Sequence, residues 1–183
     1  MIKKMILPAI SENRIKEAAS ESLDAFFTLI TDTLLEAAGG ELTATSMSQL
    51  NGEQITALAY RMLRDEVMDG GFIQLIHNGL GPFIFLNPFA KAMRLWGEAL
   101  EGPNPLHDFS KLIYKGRKLF EEYGEALTRP CSDEEFMALF EQYPQFDDLD
   151  DCFVEAEEDI TTAIAIYIDA HISAFVDVID KVG

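Results

Sequence analysis

The sequence predicts an all-α protein: a compact multi-helix domain with a long helix near its N-terminus and another near its C-terminus. Three observations carry this expectation. Apolar residues recur at i, i+3, i+4 and i+7 through most of the chain, the spacing of one helix face. No stretch alternates apolar and polar residues for long enough to build a sheet. Glycine and proline interrupt the pattern where helices must stop, at Gly39-Gly40, Gly70-Gly71, Asn78-Gly79 and Gly102-Pro-Asn-Pro105.

Residues 11–38 read as one long helix, or as two joined near Ser20-Glu-Ser22. Ile15, Ala19, Leu23, Phe26, Phe27, Ile30, Leu34 and Ala37 form its apolar stripe. Such a helix either caps the domain or pairs with a second subunit. Residues 41–50 are a polar connector rich in Ser and Thr. Asn51 reads as the N-cap of the next helix, with Ile55, Leu58, Ala59, Met62, Leu63 and Val67 inside and Arg61, Arg64 and Asp65 outside. Gly70 is expected to be a left-handed C-cap. The short helix 72–78 is apolar nearly all round, through Phe72, Ile73, Leu75 and Ile76, and is therefore expected to be buried with the chain packed about it.

Gly81-Pro-Phe-Ile-Phe-Leu-Asn-Pro88 reads as an apolar loop or extended turn, and Pro88 suits the first turn of a helix through Trp96. Gly97 is expected to let another helix pass close. After the Gly102–Pro105 break, a helix over 107–127 turns Phe109, Leu112, Ile113, Leu119, Phe120 and Tyr123 inward. Its outer face collects Lys111, Lys115, Arg117 and Lys118, the basic cluster of note, read as charge balance. Ser132-Asp-Glu-Glu135 is a capping box ahead of Phe136, Leu139 and Phe140, and Pro144 stops that helix. The last helix is expected to carry Ile160, Ile164, Tyr167, Ile168, Ile172, Phe175, Val176 and Ile179 as its core stripe.

At 183 residues and 48% hydrophobic, the chain suits one domain over 1–183, with 1–50 as a helical extension and 51–183 as the core. Lys3 and Lys4 are followed by only three apolar residues before Pro8, too few for a signal segment. The longest apolar run, 79–90, is too short to span a bilayer. A cytoplasmic protein without a membrane partner is the expectation. Cys131 and Cys152 lack metal spacing and read as reduced, buried core residues.

The charge is unevenly spread. Residues 1–129 hold 17 acids and 13 bases, whereas residues 130–183 hold 15 acids and one base, Lys181, so most of the net −18 sits in the last third. Such a field repels nucleic acid and favours basic partners. Eight acids fall within residues 147–159. Helical residues four apart are separated by about 6 Å along the axis, on the scale of charges along one DNA strand. Asp147/Asp151, Asp151/Glu155 and Glu155/Asp159 are such pairs, with Asp148, Asp150, Glu157 and Glu158 beside them and Asp133 and Glu134 upstream. Acids at the start of a helix also complement its dipole, which explains the first turn but not the whole ladder.

Catalytic chemistry finds little support. His77, His107 and His171 are scattered, and no serine sits in a nucleophile elbow. No His follows a Glu at the spacing of helical di-metal sites, and the acidic run lacks the glycine and ligand spacing of a calcium loop. No phosphate-cradling glycine motif occurs. No catalytic residue, metal or cofactor is assigned. Gln74, His77 and Asn78 are the polar residues of the buried helix. Their structural role would be to satisfy backbone groups of the 81–87 loop; as an alternative they would line a ligand-binding or enzymatic pocket.

The string Asp69-Gly-Gly-Phe-Ile-Gln-Leu-Ile-His-Asn-Gly-Leu-Gly81 resembles the Asn-Gly-Gly-Phe-x-Gln-aromatic-x-x-Asn-x-x-Gly signature of a bacterial all-helical DNA-mimic protein family. Phe146-Asp-Asp-Leu-Asp-Asp-Cys-Phe153 is similar to that family's Asp-rich approach to its last helix, and with Trp96-Gly97 the resemblance covers roughly residues 50–180. Asp69 stands where the family has Asn, Leu75 stands where it has an aromatic residue, and 82–87 is more apolar. The signature residues Gly70, Gly71, Phe72, Gln74, Asn78 and Gly81 imply a shared fold. One branch of the family implies a role. In that role a homodimer without enzymatic activity binds a basic, DNA-binding protein such as a transcription factor, and not nucleic acid itself. Asp133, Glu134, Asp147, Asp148, Asp150, Asp151, Glu155, Glu157, Glu158 and Asp159 would then act as phosphate surrogates. An immunity-type inhibitor of a basic toxin or nuclease would use the same electrostatics.

Overall fold

The computed structural model describes residues 4–102 and 104–180; Pro103, inside the expected break, and Lys181 lie outside them. The protein is all-α. Its helices are α1 (Glu12–Glu21), α2 (Leu23–Ala37), α3 (Ala44–Met47), α4 (Gly52–His77), α5 (Phe89–Glu98), α6 (Pro105–Thr128), α7 (Asp133–Gln142) and α8 (Asp147–Ala170). A three-residue parallel pair, β1 (Ala9–Ser11) with β2 (Asp177–Ile179), is the strand content of the described residues. The chain divides into two compact units, one of residues up to Arg61 with those from Thr161 on, the other Met62–Ile160.

In the first unit the long N-terminal segment is two helices. Ser22 is extended, and its hydroxyl accepts from Ala25 N at 2.9 Å, so it caps α2 after ending α1. Phe26, Phe27, Ile30 and Leu34 of α2 are buried, as their spacing predicts. Asn51 caps α4 reciprocally with Gln54: Gln54 N donates to Asn51 Oδ1 at 2.8 Å, and Asn51 N donates to Gln54 Oε1 at 2.9 Å. The remaining Gln54 amide hydrogens reach the carbonyls of Ile6 and Phe175, so this fully buried amide ties both chain ends to α4. Tyr60 and Thr161 hydroxyls pair at 2.7 Å in the same core.

The C-terminal helix is shorter than its apolar spacing suggested. It ends at Ala170, and a single 3-10 turn, Ile172–Ala174, carries the chain into β2. Phe175 and Val176 are both buried, whereas Ile179 is 45% exposed. A 3-10 turn repeats every three residues, so the 172, 175, 176 spacing imitates a helix face without being one.

The second unit is built about the short segment that follows the glycine break. Phe72, Ile73, Leu75 and Ile76 are buried, with the Phe72 ring 6.2 Å from Phe85 and 6.3 Å from Phe153. The break differs from a simple C-cap: Gly70 has φ −149°, and Gly71 takes the left-handed value, φ 75° with ψ 179°. Residues 82–86 are one turn of π-helix, Pro82–Leu86, where an apolar loop was expected. Its Phe85 lies against the α-carbon of Gly116 on α6 and stacks on Phe120 at 5.5 Å, so packing on a bare patch of α6 draws the apolar run into a helix. Gly97 accommodates the side chain of Asn104, the N-cap of α6, rather than a crossing helix. The Ser132–Glu135 capping box of α7 forms with both of its bonds.

The free cysteines Cys131 and Cys152 are both exposed, not buried. Cys131 lies in the α6–α7 connection, and Cys152 falls between acids on the outer side of α8. Among the described residues, no helix is long and apolar enough to cross a membrane.

Candidate partner-binding face and the glycine break

The first four turns of α8 hold the acidic ladder. Asp147, Asp148, Asp151, Glu155, Glu158 and Asp159 are all exposed. At about 100° per residue, these six fall within an arc of roughly 120° on the helix. The opposite side carries Leu149, Phe153 and Ile160, which are buried. The ladder is therefore one face, because the apolar residues at i, i+4 and i+11 fix which way α8 turns. Asp133 and Glu134 are exposed in the first turn of α7, where they also complement its dipole.

Two of the predicted acids point elsewhere. Glu157 is half-buried and faces Arg64 of α4, whose guanidinium stands 3.8 Å away with its side chain only 12% exposed. Arg64 is thus not on an outer face. Asp150 is half-buried too, and its Oδ1 accepts from Phe72 N at 2.8 Å. Burial pushes its carboxyl up to about 6; Asp147 and Asp151 add to the rise, and the Phe72 N–H opposes it.

Asp150 serves the glycine break. After Gly71 the helix starts afresh, and Phe72 N is the first amide without a partner in its own segment. The carboxylate from α8 supplies the acceptor that a local Ser or Asp would otherwise give. Gly71 is needed for two reasons: its φ is positive, and a Cβ there would lie 2.5 Å from Asp150 Oδ2.

The polar residues of the segment tie it back across the break. Gln74 Nε2 donates to Glu66 Oε2 at 3.0 Å and to Asp69 Oδ2 at 2.8 Å, and Asn78 Nδ2 donates to the same Glu66 oxygen at 3.0 Å. His77 Nδ1 lies 2.8 Å from the Leu127 carbonyl, and its ring is 4.8 Å from Phe136. None of the three satisfies the 81–87 backbone, which hydrogen-bonds within its own π turn and through Asn87 to Pro82. The three do not line one pocket either: Gln74 and Asn78 share Glu66, whereas His77 turns to the Leu127 carbonyl. The acceptors Glu66 and Asp69 escaped sequence reasoning because Gln74 lies eight residues from Glu66, a spacing that only a broken helix closes. The last signature residue, Gly81, lets the Phe120 ring approach its α-carbon.

His107 is exposed, and His171 stacks on Tyr167 at 4.1 Å with Nδ1 at the Tyr167 carbonyl. Among the described residues, no three His, Cys, Asp or Glu side chains are grouped to hold a metal ion. Lys111, Lys115, Arg117 and Lys118 are exposed on α6, with Arg117 paired to Glu121 at 3.0 Å.

The model of the DMP19-like protein family matches residues 48–171, which include the glycine break, α7 and the whole of α8. DNA mimic protein DMP19 of Neisseria meningitidis serogroup B is 30% identical over 131 residues, 71% of this chain and 74% of that protein. The chain belongs to the DMP19-like family.

Proposed function

We propose that the protein is a non-enzymatic DNA mimic that binds the basic surface of a DNA-binding protein, such as a transcription factor, and competes with duplex DNA for it. The observation that carries the reading is the single exposed face of Asp147, Asp148, Asp151, Glu155, Glu158 and Asp159 on α8. Like charges four apart destabilise a helix by about 0.2–0.5 kcal/mol per pair. A basic partner relieves that repulsion. Kinship with a protein named for DNA mimicry supports the same reading. Asp150 and Glu157 support the scaffold instead, through Phe72 and Arg64. Asp133 and Glu134 extend the acidic surface from α7. The protein acts as a homodimer in the cytoplasm, the compartment its DNA-binding partner shares with DNA.

The test begins with capture of partners from host lysate at low salt, elution on a salt gradient and identification by mass spectrometry. The captured protein is then assayed against duplex DNA. The variant Asp148→Asn, Asp151→Asn, Glu155→Gln, Glu158→Gln is expected to keep the wild-type circular dichroism spectrum and lose binding. Unchanged affinity in that variant would sink mimicry. Sedimentation velocity checks the dimer.

A further inference from the structure

A cleft of about 440 Å3 opens in the second unit beside the glycine break, lined from the bend of α4, from α7 and from the first turn of α8. Val67, Phe136 and Phe140 supply apolar lining, and Gly70 and Gly71 contribute bare backbone. Met137 also lines it and is 64% exposed, the most exposed large hydrophobic residue of the described chain. The polar lining is Asp69, Gln74 and Asp150: two carboxylates, one amide and no cation.

These groups have capacity left. Asp150 accepts from Phe72 N through Oδ1 alone, and its Oδ2 has no hydrogen-bond partner among the described residues. Asp69 accepts from Gln74 through Oδ2. Gln74 has already directed its amide hydrogens to Glu66 and Asp69, so its dipole does not neutralise the Asp150 side of the cleft. Asp147 and Asp151 deepen the negative potential at Asp150.

An apolar trough ending in carboxylates is complementary to a long, flat, cationic side chain. Arginine has that form. Its guanidinium stacks on aromatic faces and pairs with carboxylates through a planar fork, while its methylene stem lies on apolar surface. Lysine offers a point charge without the plane. We infer that the cleft receives an arginine side chain of the basic partner, with its stem on Phe136, Phe140 and Met137 and its guanidinium on Asp150 and Asp69. The partner's identity as a DNA-binding protein rests on the mimicry reading above. The anchor adds what phosphate mimicry lacks. A row of surface carboxylates attracts any basic surface, whereas a partly desolvated aromatic and carboxylate socket selects one side chain at one position.

The experiment titrates Nα-acetyl-arginine N-methylamide into the full chain and follows the Met137 methyl and the Gly70, Gly71 and Phe72 amides by NMR. The neutral citrulline analogue and the lysine analogue are run beside it. Saturating shifts confined to the cleft are expected, with citrulline inert and lysine weaker. Asp150→Asn, which keeps the acceptor for Phe72, is expected to weaken binding by about tenfold. Met137→Ala, on an exposed residue that folding does not need, is expected to weaken it by about threefold. Shifts spread evenly over the α8 acids, citrulline binding as well as arginine, or indifference to both variants would each overturn the anchor. The two proposals fail separately. If the α8 quadruple variant loses the captured partner while Asp150→Asn and Met137→Ala keep it at wild-type affinity, mimicry stands and the anchor falls. If the cleft binds the arginine probe but the quadruple variant keeps the partner, the arginine site stands and mimicry falls.

Discussion

Asp150 of α8 caps Phe72 of α4: a carboxylate and an amide 78 residues apart meet at 2.8 Å where Gly71 breaks the helix. This bond explains why an acidic run that reads as uniform surface charge contains one member turned inward. Asp150→Ala leaves the Phe72 N–H without a partner and is expected to cost about 1–2 kcal/mol, measured by urea unfolding. Asp150→Asn retains an acceptor and is expected to cost little.

The same pair gives a pH signature. The folded carboxyl is raised from 3.8 to about 6, chiefly by burial, so the folded state holds this proton more tightly than the unfolded chain does. Its contribution is fully present below the unfolded value and is lost as pH rises through the folded one. Relative to wild type, Asp150→Asn should therefore gain stability as pH rises from about 4 to about 6 and change no further above that. A stability difference that stays flat across this window would contradict the assignment.

Gly71→Ala places a Cβ in a backbone region that only glycine adopts easily and 2.5 Å from Asp150 Oδ2. A loss of about 2–3 kcal/mol is expected in chemical unfolding. Gly70→Ala has a negative φ, but its Cβ would run into the Gln74 side chain, so its cost is expected to come from displacing the amide that Glu66 and Asp69 hold.

Gln74→Glu replaces the amide between Glu66 and Asp69 with a third carboxylate. The variant should lower the melting temperature at low salt and recover part of the loss in high salt, because the repulsion is screened. Gln74→Ala should show the loss without the salt recovery.

Neutralising Glu155, Glu158 and Asp159 to Gln, Gln and Asn removes like-charge neighbours beyond the first turn of α8, where no dipole benefit offsets them. Thermal stability should rise by a few tenths of a kcal/mol per relieved pair, and added salt should raise the wild-type melting temperature more than the variant's. A stability gain paired with lost partner binding is the pattern expected of acids kept for function.

Exposed Cys131 and Cys152 should react with a thiol reagent in the native protein without denaturant. Free cysteine is among the most buried residue types, and the lack of metal spacing made both read as core residues. A local window does not reveal which side of a helix a small residue occupies when its neighbours face both ways.

The sequence by itself determined the helical class, the main stops, the capping at Asn51 and Ser132, the burial of the segment after Gly71, and the concentration of acid on the last third. All of these follow from forces acting within a few residues: the period of a helix face, the demand of unpaired amides for caps, and the steric freedom of glycine. The resemblance added the fold family. The tertiary structure alone decided which acids stay outside. Six share one face because Leu149, Phe153 and Ile160 fix the rotation of α8, while Asp150 and Glu157 are drawn to Phe72 N and to Arg64. It also decided that Gln74 and Asn78 hold the two sides of the break together, and that α8 ends at Ala170 so that residues 177–179 pair with the N-terminal strand. Each of these depends on partners that are distant in sequence or brought close only by a bend. A hydrophobic period records that a residue is covered, but not what covers it.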